Sequence, residues 1–456
     1  MTMPVATDRS PAVVVSEIPV SLNYAWYVVL VLMICYTLSF VDRQILSLLV
    51  GPIKQDLGLS DTRIGLLQGL AFGTFYTLLG LPMGRIADRS NRRNLIVAGI
   101  FFWSLMTALC SVTRSFWSLF SARLGVGVGE ATLGPSAFSL IADYFPRERL
   151  GKALSVYSAG IFIGSGLALI VGGTVVSAVT GLPAVQIPIF GAIASWRLTF
   201  LIVGFPGILI ALLVYTIREP LRRNALRGAD GQISQLNFAE TLDQLRPRWR
   251  SVAGVSLGLG TQAMCNYALQ AWAPTFFIRV FGWTPRQVGL VLGAMILTTG
   301  IAGMYVGGTL CDRWQRSRSE APLRVGVVST LGAGVFFILA MVIQDLRWTI
   351  PVLAPALFFL AMPVGSSYAA LQLIVPNQLR GQVSAVLLFT INVVGLIGGP
   401  WLVGVLNDFW GAKMVGYSLA ITVGLASFLS AALFRLTYGP YRENYAMLHQ
   451  IENAER

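Results

Sequence analysis

Charge is what this sequence has least of. Only 12% of its 456 residues are Asp, Glu, Lys or Arg while 55% are hydrophobic, against about a quarter charged in a soluble domain. That balance excludes an ordinary water-soluble globule. Histidine is nearly absent: the single one, His449, sits near the C-terminus, where a solvated residue explains it better than a catalyst. The four cysteines, Cys35, Cys110, Cys265 and Cys311, fall in or beside separate apolar runs without CxxC spacing, so they support neither a metal site nor a disulfide framework. No GK[ST] phosphate loop is present, which leaves ion or substrate gradients as the energy source. Residues 1–22 contain Pro4, Pro11 and Pro19 and lack the basic-then-apolar order of a signal peptide; they read as a cytoplasmic N-terminal tail.

What is present is a series of apolar runs, each long enough to cross about 30 Å of hydrocarbon as a helix. Twelve are expected, near 24–50, 62–83, 94–113, 116–141, 151–178, 197–217, 251–280, 287–310, 323–344, 349–374, 382–406 and 413–436. They form two groups of six, 23–217 and 251–437, joined by a polar, basic linker at 218–250 and followed by a tail at 438–456. The stretch 179–196, rich in Pro, Gly and Ile, is either a re-entrant loop or an ordinary outer loop. The fold class is therefore an all-α membrane protein with twelve transmembrane helices in two pseudo-symmetric six-helix bundles.

The net charge of +13 is an orientation signal and not a nucleic-acid signal, because the basic residues alternate by side. Loops after even-numbered spans carry Arg85, Arg89, Arg92 and Arg93, then Arg147, Arg149 and Lys152, then Arg218 through Arg250, then Arg313, Arg316, Arg318 and Arg324. Opposite loops carry one or two each, such as Lys54, Arg63, Arg114, Arg197 and Lys413. The positive-inside rule puts both termini in the cytoplasm, with membrane lipids as partners of the basic loops and no nucleic acid.

Two loops repeat at one offset. Gly84-Arg85-Ile86-Ala87-Asp88-Arg89-Ser90-Asn91-Arg92-Arg93 returns in shorter form as Gly308-Thr309-Leu310-Cys311-Asp312-Arg313-Trp314-Gln315-Arg316, and Pro146-Arg147-Glu148-Arg149-Leu150-Gly151 returns as Pro376-Asn377-Gln378-Leu379-Arg380-Gly381. A duplicated transporter accounts for both pairs. The first loop resembles the GxxxDRxxRR signature of the major facilitator superfamily at every defined position. That resemblance implies a multi-pass plasma (inner) membrane protein whose loop acids and arginines latch the halves together on the cytoplasmic side: Asp88, Arg89 and Arg92, with Asp143 as acidic partner, and Asp312 and Arg313 in the weaker second copy, where Ser317 replaces the final arginine. Ser39-Phe40-Val41-Asp42-Arg43 together with Arg123-Leu124-Gly125-Val126-Gly127-Val128-Gly129-Glu130-Ala131 is similar to the spinster group of that superfamily, whose members move lysophospholipids and sphingolipids.

Asp42, Arg43, Arg123 and Glu130 lie inside spans 1 and 4, where an ionisable group costs about 2.5 kcal/mol or more and so marks function by default. At 1.5 Å per residue Asp42 and Arg123 share a level about 10 to 12 Å from the outer ends of their spans, with Glu130 about 10 Å deeper. Adjacent helical positions diverge by about 100°, so Asp42 and Arg43 need partners elsewhere. Asp42 with Arg123 and Arg43 with Glu130 are the simplest pairings, and the swapped ones stay open. Asp42 and Glu130 are the expected proton-coupling groups, Arg43 and Arg123 the expected headgroup ligands. The rival reading is a static network that only fixes helix packing.

The second half offers neutral polar groups instead: Gln262, Asn266 and Gln270 at every fourth position of span 7, and Asn392 in span 11. Tyr36, Tyr267, Trp272 and Tyr368 are candidate lining aromatics, and the GxxxG spacing of Gly125 and Gly129 reads as helix packing. The function expected is secondary transport of an amphipathic lipid by alternating access, by a monomer, with a proton as coupling ion and no other cofactor and no metal. A proton-coupled carrier of an organic anion or sugar acid is the alternative; a lipid-modifying membrane enzyme or a scramblase is the alternative of another class.

Overall fold

The computed structural model describes residues 21–182, 185–187, 191–220, 222, 245–364, 367–376 and 379–454. The expected N-terminal tail, most of the linker, and the side chains of Tyr368 and His449 lie outside the described residues. Among those described, ten helices are long and apolar enough to cross a membrane, or eleven when the bent pair Asp61–Gly80 and Pro82–Arg89 counts as one span. The helix Trp249–Phe281 has the length, 33 residues, but falls short in hydropathy because it carries the stripe Gln262, Asn266 and Gln270. Counted with it, the observed segments follow the expected twelve: Leu22–Leu48, the bent pair, Arg92–Val112, Phe116–Tyr144, Glu148–Val179, Ser195–Val214, Trp249–Phe281, Pro285–Gln315, Ala321–Ile343, Leu346–Val364, Arg380–Trp410 and Ala412–Leu448.

Local chemistry sets the ends of these helices. Ser21, Ser60 and Asn91 accept first-turn amides as N-caps, Thr284 and Gln287 form a reciprocal capping box, and Gly58 and Gly282 close helices in the left-handed region at φ 61° and 68°. The bend of 47° in span 2 falls at Pro82, which removes a helical hydrogen bond. Within the 179–196 stretch Val185–Ile187 and Gly191–Ile193 pair antiparallel, Val185 with Ile193 and Ile187 with Gly191. The last helix runs past the expected end of the bundle at 437 to Ala454, burying Tyr441 and Asn444. Tyr441 donates to the Ala370 carbonyl at 2.8 Å, Asn444 to Ser251 at 2.7 Å, and Arg442 to Glu320 at 2.6 Å.

Glycines show how the halves meet. A Cβ on Gly65 would lie 2.5 Å from the Pro400 carbonyl oxygen, one on Gly69 2.7 Å from that of Leu396, one on Gly166 2.7 Å from that of Gly293, and one on Gly293 2.6 Å from that of Gly166. Spans 2 and 11, and spans 5 and 8, therefore touch backbone to backbone at the end away from the arginine-rich loops. Toward those loops Gly80, Gly151, Gly308 and Gly381 have nothing within 4 Å of such a Cβ. The close backbone contacts between the two halves that glycine permits gather at that one end.

Two outcomes are expected. Gly127→Ala, whose Cβ would run into the Phe72 carbonyl, should lower stability in detergent by about 1–3 kcal/mol, whereas Gly80→Ala should be neutral or stabilising in the same thermal unfolding assay. The Arg442 and Arg324 hydrogen bonds hold the Glu320 carboxyl down at about 2. A depressed carboxyl contributes above its ordinary range and loses that contribution only as pH falls toward its folded value, so amide protection in 438–448, taken relative to the intrinsic exchange rate at each pH, should be unchanged between pH 5 and 8. Glu320→Gln should speed that exchange.

Candidate functional site

Spans 1 and 4 bring the four intramembrane charges together, and one of the pairings is an ion pair. Arg43 reaches Glu130 Oε2 with Nε at 2.7 Å and Nη2 at 2.6 Å. The Glu130 side chain is fully buried while that of Arg43 retains 14% exposure, so the arginine is the face this pair presents. Around its guanidinium stand the rings of Phe40, Phe72 and Tyr76, with centroids at 5.2, 4.6 and 4.8 Å. Such a ring set supports a cation electrostatically. Tyr36 and Tyr267 are further neighbours, and Tyr267 comes from the other half.

The second pairing is different from the simplest expectation. Arg123 donates from Nη1 to the main-chain carbonyl of Asp42 at 2.9 Å, and both Asp42 carboxylate oxygens lack a hydrogen-bond partner among the described residues. The carboxylate is turned toward span 3, where Trp103 and Thr107 face it. This follows from the divergence of adjacent helical positions: once Arg43 points at Glu130, Asp42 points away from it. Trp103 Nε1 and Thr107 Oγ1 are buried with the Asp42 carboxylate as the acceptor they face, and Arg123 Nε and Glu130 Oε1 are buried without a hydrogen bond of ordinary geometry among the described residues. A buried polar cluster left this open in its hydrogen bonding is suited to taking up protons or water. Asp42 at 0% exposure and Arg123 at 1% are buried more deeply than Arg43, so Arg43 is the more accessible of the two arginines.

The neutral residues divide. Gln270 accepts from Gln44 of span 1 at 2.8 Å, a bond between the halves. Gln262 instead donates to the Leu360 carbonyl at 3.3 Å within its own half. Asn266 is half-buried and Asn392 buried, the latter in a π-helical turn over Ile391–Ile397. Trp272 is fully buried and donates to the Pro400 carbonyl at 2.9 Å, and Tyr36 stacks on Tyr157 at 5.2 Å, so both rings pack protein.

At the arginine-rich end Arg92 is buried and donates to Asp143 at 2.5 Å, to Ser139 at 2.8 Å and to Glu219 at 2.7 Å. Asp143 and Ser139 belong to the N-terminal half and Glu219 to the start of the linker. Asp88, Arg89, Asp312 and Arg313 are exposed, and among the described residues no ion pair joins them to the opposite half. Arg222 instead donates to the carbonyls of Ala87, Asp88 and Ser90, filling acceptors at the C-terminal end of span 2.

The opposite end carries a network that the sequence reading passed over. Asp61 at the start of span 2 receives Arg279 of span 7 at 2.5 and 2.9 Å and also pairs with Lys54. Asp408 of span 11 accepts from the amides of Asp61 at 2.9 Å and Thr62 at 2.8 Å. Charges at span ends read as topology signals, which hid these; the Trp103 and Thr107 pair, four apart on one face, was a visible signal for the Asp42 neighbours.

Comparison with known proteins supplies the family. The Major Facilitator Superfamily model matches residues 32–399, and the chain belongs to that family. An MFS-type efflux pump of Mycolicibacterium smegmatis is 29% identical over 429 residues, covering 92% of this chain and 94% of the relative. Protein spinster homolog 1 of Xenopus tropicalis is 26% identical over 409 residues, covering 85% and 74% respectively. Among solved structures, a bacterial homolog of the human lysosomal transporter Spinster, in an inward-facing and unoccupied conformation, superposes with a TM-score of 0.75 at 25% identity, covering 94% of this chain and 98% of the other. The chain is thus a multi-pass membrane transporter related to spinster, and not an enzyme.

Removing one member of a buried ion pair strands the other charge. Arg43→Ala and Glu130→Ala should each destabilise the protein by about 3 kcal/mol, and the double variant should lose less than their sum, read by thermal unfolding in a double-mutant cycle.

Proposed function

We propose that this member of the major facilitator superfamily is a secondary active transporter of an amphipathic anionic or zwitterionic lipid, of the lysophospholipid or sphingosine 1-phosphate kind, coupled to protons. The observation that carries the reading is the Arg43–Glu130 pair, exposed on the arginine side only, with the unpartnered Asp42 carboxylate behind it. An anionic headgroup competes with Glu130 for Arg43. A carboxylate left without its guanidinium in a low-dielectric cavity then takes up a proton, and neutralising it removes the cost of a lone buried charge. Substrate and proton are linked by that exchange.

The same arrangement assigns parts to the other residues. Glu130 and Asp42 carry protons, Arg43 receives the headgroup, and Arg123 holds the Asp42 main chain from behind. The uncharged second half, with Asn266, Gln270 and Asn392, suits the rest of an amphipathic molecule. The arginine-rich end faces the cytoplasm of the plasma membrane by the positive-inside rule, with both termini on that side. That end is then the inward opening of the cycle, and Asp88, Arg89, Arg92 and Asp143 with Asp312 and Arg313 form the gate that closes it. Transport proceeds by rocking of the two halves about the charged site.

The test is uptake into proteoliposomes under an imposed pH gradient, comparing a lysophospholipid with a sugar acid. Lysophospholipid uptake should depend on the gradient, and Glu130→Gln and Asp42→Asn should each lower it at least about tenfold, the scale of one lost charged interaction. Unchanged gradient-driven uptake in both variants would remove the proton assignment. Uptake of the sugar acid alone would replace the lipid.

A further inference from the structure

Among the described residues one ion pair joins the two halves. Arg279, in the last turn of span 7, donates to both carboxylate oxygens of Asp61, in the first turn of span 2, at 2.5 and 2.9 Å. The other ion pairs stay within one half or reach the start of the linker. Rocking of the halves has to break this one, and the Asp61 side chain is only 1% exposed. A buried carboxylate that loses its sole cation costs enough to stall such a motion.

Each charge of the pair has a second partner in its own half. Lys54, in the short helix Val50–Leu57 that follows span 1, also pairs with Asp61. Arg279 donates to the Ala412 carbonyl at 3.3 Å and lies over the Trp272 ring at 5.9 Å. The helix ends agree with this division: an acid in a first turn and an arginine in a last turn both sit where the helix dipole favours their sign. Glu320 likewise takes two cations, Arg324 and Arg442, but both come from its own half. Among the described residues, only Asp61 is shared by cations of opposite halves.

We propose that Lys54 is a positioning residue that keeps Asp61 when the outer ends of the halves separate, while Ala412 and Trp272 keep Arg279, so that the ion pair across the halves breaks without stranding either charge. The proposal rests on the alternating-access reading and adds what makes the outer end reversible. Two cations on one carboxylate share it, and each contributes less than it would alone. Lys54 therefore contributes more after Arg279 has left than before. The two cations touch the same acid, yet they bias the outer end in opposite directions.

The experiment measures the distance across the outer end by pulsed electron paramagnetic resonance in lipid nanodiscs, without substrate or pH gradient. Spin labels go on Trp117→Cys and Trp348→Cys, both exposed and in opposite halves; the four native cysteines are buried. The chain carries Asp408→Asn, which weakens the contacts of that residue with the Asp61 and Thr62 amides and so populates the longer distance while leaving the three charges in place. In that chain Arg279→Gln should raise the ratio of longer to shorter distance about tenfold, the scale of a hydrogen bond between charged groups. Lys54→Gln should lower it about threefold, the scale of a partly exposed ion pair. Lys54→Arg should leave it unchanged, and Lys54→Gln should have no effect once Asp61→Asn has removed the carboxylate; a monodisperse elution profile checks the folding of each variant. A ratio unmoved or raised by Lys54→Gln, with Arg279→Gln still raising it, overturns the proposal and leaves rocking in place. A single distance unmoved by every variant overturns both. Failure of the lipid or proton assignment does not affect the result.

Discussion

An ionised side chain in hydrocarbon persists only where another group compensates it, and that constraint organises the N-terminal half. Arg43 and Glu130 lie 87 positions apart in the chain, yet their 2.7 Å hydrogen bond fixes how spans 1 and 4 face each other. Phe72 and Tyr76 bring span 2 against the same guanidinium, and Trp103 and Thr107 bring span 3 against Asp42. Four helices are thus arranged around four charges whose formal sum is zero. The C-terminal half carries no such cluster in its spans, and glycine contacts and neutral amides take its place. The charge of the site is therefore carried by one half of a duplicated molecule.

The second organising feature is close approach at glycine. Gly65, Gly69, Gly166 and Gly293 let backbones of opposite halves touch at one end, and the ion pair of Asp61 with Arg279 and the amide contacts of Asp408 secure the same end. A side chain at any of these glycines would hold the halves apart. Toward the opposite end the tight glycine contacts lie within one half, as Gly254 against Thr437 and Gly307 against the Met362 carbonyl, and Arg92 of the DR loop is engaged by Asp143 and Glu219.

Much of this was legible from local pattern. Helix positions followed from apolar run length, with departures where chemistry other than hydropathy ruled: the polar stripe that lowers the hydropathy of Trp249–Phe281, the hairpin inside 179–196, and the last helix that continues to Ala454 because Tyr441 and Asn444 find buried partners. Arg43 with Glu130 was one of two sets of pairings that the need of a buried charge for a partner left open, and Asp143 as a partner of the DR loop came from the family resemblance. Asp42 was less readable, since its carboxylate orientation depends on which way its neighbour Arg43 turns. Gln262 was misplaced because a stripe at every fourth residue drifts by about 40° per step, enough to turn one end of it from the cavity toward Leu360.

The sequence by itself determined that this chain lives in a membrane, that it is duplicated, where its basic loops lie and which four residues carry charge into the hydrocarbon. Those properties are local, written in composition, run length and motif, and no other part of the chain can change them. Only the tertiary structure decided which carboxylate pairs with which arginine, that Arg43 is the more accessible of the two arginines, and at which end the halves touch backbone to backbone. Those are relations between helices far apart in the chain, set by the backbone approach that glycine permits and by the directions in which side chains leave their helices.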